Sequence, residues 1–107
     1  MNEKDLSIEQ MANMCIEIAN YYGLKNQISK SIEELAELIR ALATGTSGEV
    51  VEEIADVEIM VYQLKYLYGI ETAVGEAIEQ KLKRQMKRIE RREPTEKFKA
   101  MVDCMWE

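Results

Sequence analysis

The placement of proline and glycine is the feature that most limits what this chain can fold into. Pro94 is the only proline among 107 residues, and the five glycines fall mostly between segments in which apolar residues recur at helical spacing. Apolar residues three and four positions apart indicate amphipathic helices, and glycine and proline mark their ends. The pattern therefore predicts an all-α chain with short connections.

Four helices and a short fifth follow from these signals. The first is predicted to begin at Ser7, which forms a capping-box pattern with Gln10, and to end at Gly23. The others are predicted over 25–44, 46–68 and 71–92, with a last short helix within 94–107. Thr46 and Glu49 form a second capping-box pattern at the start of the third helix. The length is that of one domain, 1–107, with a core over 7–92 and a helical tail.

The second and third predicted helices are separated by only one or two residues around Gly45, so they should form an antiparallel hairpin. The second helix carries an apolar stripe that is expected to be buried: Ile28, Ile32, Leu35, Ile39 and Leu42. The second half of the third helix is apolar on nearly every side, which is typical of a helix that is buried all round. A small monomer cannot readily hide this area together with the apolar stripe of 98–106, so we expect a homodimer or homotetramer.

Composition excludes several classes of function. The chain has no histidine, which removes His-based triads and zinc sites that use His. Its formal net charge of −6 argues against binding of polymeric nucleic acid, and its two cysteines are expected to be free thiols. Residues 1–10 have no apolar stretch of the kind found in signal peptides, and no apolar run has membrane-spanning length, so we expect a cytoplasmic protein without membrane contact.

Two acidic pairs stand on the predicted hairpin, Glu34 with Glu37 and Glu53 with Asp56. Side chains three residues apart share one face of a helix. Both helices rise by about 1.5 Å per residue, so in an antiparallel hairpin Glu37 should be level with Glu53, and Glu34 with Asp56. Four carboxylates would then surround one volume, away from the apolar stripe.

A divalent cation is the natural way to offset the repulsion among four neighbouring carboxylates. Oxygen-only ligands favour Mg²⁺ or Mn²⁺ over zinc or copper, and Mg²⁺ usually shares its coordination with substrate phosphates. The alternative is that these acids only solubilise the helix surfaces, as most charged helical residues do. Only Lys30 and Arg40 flank the acids of the second helix, so few cations stand at helical spacing to neutralise the set. This scarcity of cations favours a metal site.

The stretches EELAE at 33–37 and EIAD at 53–56, fifteen residues apart, together resemble the motif pair of MazG-type nucleotide pyrophosphatases. The resemblance covers about 7–92 and implies a four-helix bundle that oligomerises through paired helices. It also implies Mg²⁺-dependent cleavage of a nucleoside triphosphate between the α and β phosphates, which yields a monophosphate and pyrophosphate. The implied metal ligands are Glu34, Glu37, Glu53 and Asp56.

Further roles follow for neighbouring polar residues. The resemblance gives Glu33 one of two roles, either orienting the attacking water or supporting the metal ligands without binding the metal itself. The attacking water is bound to the metal or oriented by Glu33. Lys81 and Arg84 share a face of the fourth helix and, with Lys30, are the expected phosphate-binding cations. The second hypothesis is a non-catalytic helical oligomer that binds a nucleotide or a protein partner, and the third is a purely structural bundle. The base and the sugar of the substrate stay open.

Overall fold

The computed structural model describes residues 5–91, which form three α-helices. They are α1 (Ile8–Thr44), α2 (Ser47–Tyr68) and α3 (Glu71–Glu90). No strand occurs within residues 5–91, and the predicted all-α class is confirmed. The tail helix predicted within 94–107, with its apolar stripe over 98–106, lies outside the described residues.

The first two predicted helices run together as α1, which is interrupted at Gly23. The backbone of Gly23 has φ 83° and ψ 165°, in a region that glycine adopts far more readily than other residues. The predicted boundary is therefore in the right place, but a kink stands there instead of a loop between separate helices. We call the two segments α1N (8–22) and α1C (24–44).

The ends of the helices follow the predicted capping signals. Ser7 and Gln10 form the expected capping box, in which the Ser7 hydroxyl accepts from the Gln10 N–H at 3.0 Å. Thr46 caps α2 by accepting from the Glu49 N–H at 3.3 Å. A Cβ atom at Gly45 would lie 2.7 Å from the Ala41 carbonyl oxygen, so the tight turn between α1C and α2 requires glycine.

α1C and α2 pack as the predicted hairpin, but through a face that is largely polar or small. The buried residues of the two segments are Gln27, Ser31, Ala41, Met60 and Gln63. The predicted core stripe of the second helix is wrong for the single chain, since its members Ile32 and Ile39 are 64% and 69% exposed. α1C carries two neighbouring stripes at helical spacing, one small and polar and the other bulky and apolar. Packing against α2 buries only the small and polar stripe.

The second half of α2 is likewise not buried on all sides. Ile59, Val61, Tyr66 and Tyr68 are all exposed, which corrects the expectation of a helix covered all round. One side of α2 packs on α1C and another lies near α1N, with Tyr66 donating to the Asn20 side chain at 3.1 Å. Residues 5–91 thus leave apolar faces of α2 exposed.

The chain divides into two compact units, one ending at Glu71 and the other beginning at Thr72. The first unit contains α1 and α2. The second contains nearly all of α3, an amphipathic helix without a buried residue, on which Glu79 and Lys83 form an ion pair at 3.0 Å. The organisation of 1–107 as one domain stays a prediction. Among residues 5–91, no helix has the length and apolar character needed to cross a membrane.

Candidate metal centre

Three carboxylates from α1C and α2 meet in the half of the hairpin that is nearer the turn. One oxygen each of Glu34, Glu53 and Asp56 lies within 4.8 Å of the other two. Glu34 comes from α1C, and the two α2 residues are three positions apart, so both face α1C. We call these three residues the acid cluster. Glu34 and Asp56, which the predicted register makes level, lie close together, with one carboxylate oxygen of each within 4.8 Å of the other.

The acid cluster is partly withdrawn from solvent. The Glu34 side chain is only 13% exposed, although its neighbour along the helix, Glu33, is 68% exposed. Within the cluster, the Oε2 atom of Glu53 is buried and has no hydrogen-bond partner among the described residues. A buried carboxylate oxygen without a donor is costly, and a proton or a cation relieves that cost.

Burial and mutual repulsion raise two pKa values in the cluster. The pKa of Glu53 lies above its ordinary value, first because of burial and then because of the charges of Asp56, Glu37 and Glu34, while Arg40 opposes the shift. The pKa of Asp56 is also raised, first by burial and then by the charge and hydrogen bond of Glu34. The site therefore favours any species that brings positive charge to these oxygens.

The oxygen set suits a small divalent cation. Mg²⁺ takes oxygen ligands in octahedral geometry at about 2.0–2.1 Å, which places adjacent oxygens about 3 Å apart. Oxygens that already lie within 4.8 Å of one another can reach this spacing through small rotations of flexible side chains. The orphaned Glu53 oxygen is the observation that makes the cluster fit a metal, because no donor among the described residues satisfies it.

Glu37, the fourth predicted ligand, is not part of the acid cluster in this structure. Its carboxylate pairs with Arg40 at 3.4 Å, and Arg40 reaches across the turn to Glu49 at 3.3 Å. The negative charge of Glu37 still contributes to the raised pKa of Glu53. The structure thus brings together three of the four predicted ligands, and the role of Glu37 stays a prediction.

One cation stands on each side of the acid cluster. Lys30 lies 3.1 Å from Glu34 and 3.8 Å from Glu33, and its hydrogen bond to Glu34 raises the pKa of the ammonium group. Arg40 stands one helical turn beyond Glu37, and its hydrogen bonds to Glu37 and then Glu49 raise its pKa. Arg40 was not predicted as a site residue, although its spacing of three from Glu37 was a signal for it.

The other predicted phosphate-binding cations belong to the second unit. Lys81 and Arg84 are exposed residues of α3. They lie three positions apart on this helix, as predicted, and their part in binding phosphate stays a prediction.

A cavity of about 460 Å³ lies beside the acid cluster, within the first unit. Its lining residues come from α1N, α1C and α2: Ile18, Tyr22, Asn26, Gln27, Lys30, Ile59, Met60 and Gln63. Lys30 lines the cavity and also contacts Glu34, so it joins the cavity to the acid cluster. The cavity combines apolar walls and an aromatic ring with side-chain amides.

Two buried amides stand in the wall of this cavity. The Nε2 group of Gln27 donates to Oε1 of Gln63, which is 1% exposed, and the Ser31 hydroxyl donates to the Gln27 carbonyl oxygen at 2.6 Å. This contact does not use the other polar atoms of the two side-chain amides, Oε1 of Gln27 and Nε2 of Gln63. Neither glutamine was predicted as a site residue, because a pair that lies 36 residues apart has no local signature.

Comparison with family models, with curated proteins and with solved structures found no match to this chain.

Proposed function

We propose that this chain is a Mg²⁺-dependent nucleoside triphosphate pyrophosphohydrolase. The observation that carries the proposal is the acid cluster, in which the buried Oε2 of Glu53 has no protein partner among the described residues and three carboxylates converge on one volume. Oxygen-only sites of this kind prefer Mg²⁺ or Mn²⁺, which bind phosphates as they bind carboxylates. The resemblance of the two acidic motifs to those of MazG-type pyrophosphatases supports the same chemistry.

The chain's own residues account for binding of a triphosphate. Glu34, Glu53 and Asp56 would hold the metal, which supplies positive charge to the phosphate oxygens when bound. Lys30 and Arg40 flank the cluster and can bind phosphate oxygens, Lys30 as its partner Glu34 turns to the metal and Arg40 from its exposed position beside Glu37. Both cations are charged at neutral pH, since the ordinary pKa values of lysine and arginine already lie far above 7.

The cavity beside Lys30 is the proposed position of the nucleobase. Tyr22 offers a ring on which a planar base can stack, and the amide groups of Gln27, Gln63 and Asn26 can meet the polar edge of a base. A nucleotide held in this way would extend its phosphates past Lys30 toward the acid cluster. Every nucleobase presents neighbouring donors and acceptors, so the amides favour a base without selecting one.

Hydrolysis needs a water molecule and a group that orients it. Glu33 is our proposed orienting residue, because it stands next to Glu34 and is kept close to the cluster by its contact of 3.8 Å with Lys30. In the proposed reaction, water adds to a phosphorus of the α–β anhydride, and the bond to the departing phosphate group breaks.

Pyrophosphate release from a panel of nucleoside triphosphates, measured with and without Mg²⁺, tests the proposal. Asp56→Asn should abolish release, whereas Glu52→Gln, four residues earlier and exposed, should retain it. Loss of activity in both variants, or release by the wild type in EDTA, would contradict the assignment. Tight Mg²⁺-dependent binding of a nucleotide without turnover would instead support the second hypothesis, a non-catalytic helical oligomer that binds nucleotides.

A further inference from the structure

Arg40 is shared between two carboxylates in the part of the hairpin nearest the turn. Its Nε–H group donates to Oε2 of Glu37 at 3.4 Å, and its terminal nitrogens, Nη1 and Nη2, both donate to Oε2 of Glu49 at 3.3 Å. Glu37 stands three residues before Arg40 on α1C, and Glu49 comes from α2 on the other side of the turn. Because the two carboxylates use different nitrogens of the guanidinium, one can leave while the other stays.

The turn between the helices prepares the position of Glu49. By the register of the hairpin, Arg40 and Glu49 are level to within one residue, a rise of about 1.5 Å. A Cβ atom at Gly45 would lie 3.1 Å from Oε2 of Glu49, so the glycine leaves room for the oxygen that holds Arg40. The other oxygen, Oε1, lies 3.5 Å from the hydroxyl of Thr46, which caps α2. Both oxygens of Glu49 therefore have a partner in the turn.

Glu37 is the carboxylate that has a second place to go. The hairpin register makes it level with Glu53, and its charge contributes to the raised pKa of Glu53, so the two carboxylates are near each other. Its contact with Arg40 is long for an ion pair, and half of the Glu37 side chain is exposed, so little is lost when the contact breaks. The Glu37 carboxylate is attracted more strongly to a divalent cation in the acid cluster than to the single charge of Arg40.

We propose that Arg40 exchanges Glu37 for a substrate phosphate when the metal binds, and that Glu49 is the positioning residue that holds Arg40 during this exchange. The inference rests on the proposed function, which supplies the metal and the phosphate. Glu37 turns to the acid cluster, and Arg40 keeps both of its bonds to Glu49. Of the five N–H groups of the guanidinium, the Nε–H and one on each terminal nitrogen then remain for phosphate oxygens.

The exchange couples the binding of metal to the binding of phosphate. Without the metal, Arg40 and its two carboxylates carry a net negative charge, which disfavours an anionic phosphate. After the exchange, Arg40 and Glu49 form a neutral pair that has free donors. The charge of Arg40 already reaches the acid cluster, since it opposes the rise in the pKa of Glu53. A triphosphate should therefore bind more tightly once the metal site is filled.

Calorimetric titration of the full chain with Mg²⁺, without a nucleotide, tests the exchange. Arg40→Gln should tighten Mg²⁺ binding by about twofold to fivefold, because Glu37 then has no ion pair to break. Glu49→Gln should weaken Mg²⁺ binding by a similar factor, because Arg40 then pairs with Glu37 alone and holds it more firmly. In a chain that already carries Arg40→Gln, the further change Glu49→Gln should have no larger effect than a control substitution.

Glu52→Gln is the matched control, since it removes another exposed carboxylate of α2, whose charge acts directly on Asp56. A general loss of negative charge would weaken Mg²⁺ binding at least as much in Glu52→Gln as in Glu49→Gln, whereas the exchange predicts the larger effect in Glu49→Gln. The capping pattern at the start of α2 accepts either Glu or Gln at this position, so circular dichroism should show that Glu49→Gln keeps its helices.

Kinetics at saturating Mg²⁺ provide a second readout. Glu49→Gln should raise the KM for a triphosphate by about twofold to tenfold and leave kcat unchanged, because the substrate must then order the Arg40 side chain itself. A purely structural Glu49 would lower the melting temperature and leave the Mg²⁺ Kd and the KM equal to those of the control. That result would overturn the exchange and leave the proposed function standing, as would an Arg40→Gln variant that binds Mg²⁺ no more tightly than the wild type. A wild type that binds no Mg²⁺ would overturn both.

Discussion

Replacing Glu53 with glutamine should change stability in opposite directions with and without magnesium. In the metal-free protein the Glu53 carboxylate is partly buried among like charges, and its raised pKa shows that the fold disfavours its ionised form. A neutral amide removes that repulsion, so Glu53→Gln should melt at a higher temperature than the wild type in EDTA at pH 7. With saturating magnesium the order should reverse, because the variant has lost one of three clustered carboxylates.

The size of the magnesium effect follows from linkage. Magnesium at 100 times its Kd should stabilise the wild type by about 2.7 kcal/mol if only the folded state binds it. For a chain of 107 residues, 1 kcal/mol corresponds to about 4 °C in Tm, so the expected rise is about 10 °C. If the lost ligand weakens affinity tenfold or more, the variant should gain at least about 1.3 kcal/mol less than the wild type at the same concentration.

The pH dependence has a definite sign. The ordinary pKa values are 4.5 for Glu53 and 3.8 for Asp56, and both are raised in the fold. Between the ordinary and the raised values the folded state binds more protons than the unfolded state, so this contribution to stability is lost as pH rises through that window. The metal-free wild type should therefore lose stability relative to Glu53→Gln as pH rises above about 4. Magnesium competes with the protons, so its stabilising effect should grow over the same window.

Thermal melts followed by circular dichroism at constant ionic strength, with EDTA or with magnesium, provide the measurement. Glu52→Gln is the matched control, because it removes a carboxylate one position away on the same helix that is not part of the acid cluster. The reasoning is refuted if magnesium leaves the wild-type Tm unchanged at pH 7. It is also refuted if Glu53→Gln and Glu52→Gln respond to magnesium equally.

Three further outcomes are expected. Gln63→Leu should lower the free energy of unfolding measured in urea by about 1–3 kcal/mol, because it leaves the buried Gln27 amide without its hydrogen-bond partner. Changing both Gln27 and Gln63 to leucine should recover much of that loss and remove the proposed contacts to a base. Arg40→Gln should strengthen magnesium binding in calorimetry, because it removes a cation near the carboxylates. It should also raise the KM for a triphosphate, because Arg40 is proposed to bind phosphate. Affinities for magnesium and for the triphosphate that changed in the same direction would argue against that role. Glu33→Gln should keep magnesium binding and lose turnover, and equal losses in both measurements would make Glu33 a ligand instead.

Features that depend on neighbours within one turn or across a tight turn could be predicted from the sequence. The N-terminal caps and the interruption at Gly23 are local signals, and the structure has them where they were expected. The convergence of Glu34, Glu53 and Asp56 also followed, because Gly45 makes the connection so short that it determines which residues are level. Register in a hairpin of helices is simple arithmetic once the turn is placed.

The side of α1C that packs on α2 could not be predicted in the same way. Periodicity shows that the stripe containing Ile32 and Ile39 should be covered, but it does not show whether the cover comes from the same chain. The stripe that packs is polar and small, and it is held partly by the contact of Gln27 with Gln63. Such a contact depends on distant residues, and neither glutamine has a local pattern that would reveal it.

The residues that pack the hairpin explain why the acids can meet. Ser31 and Ala41 are buried on α1C, and such small side chains let two helix axes approach closely. A larger residue at either position would push α2 away and separate Glu34 from the carboxylates of α2. A purely apolar contact between the helices would have used the stripe of Ile32 and Ile39, whose bulk would have turned Glu34 toward solvent. The polar inner face therefore has a consequence for the site. It partly withdraws the carboxylates from water, raises the pKa values of Glu53 and Asp56, and leaves the bulky stripe of Ile32 and Ile39 exposed.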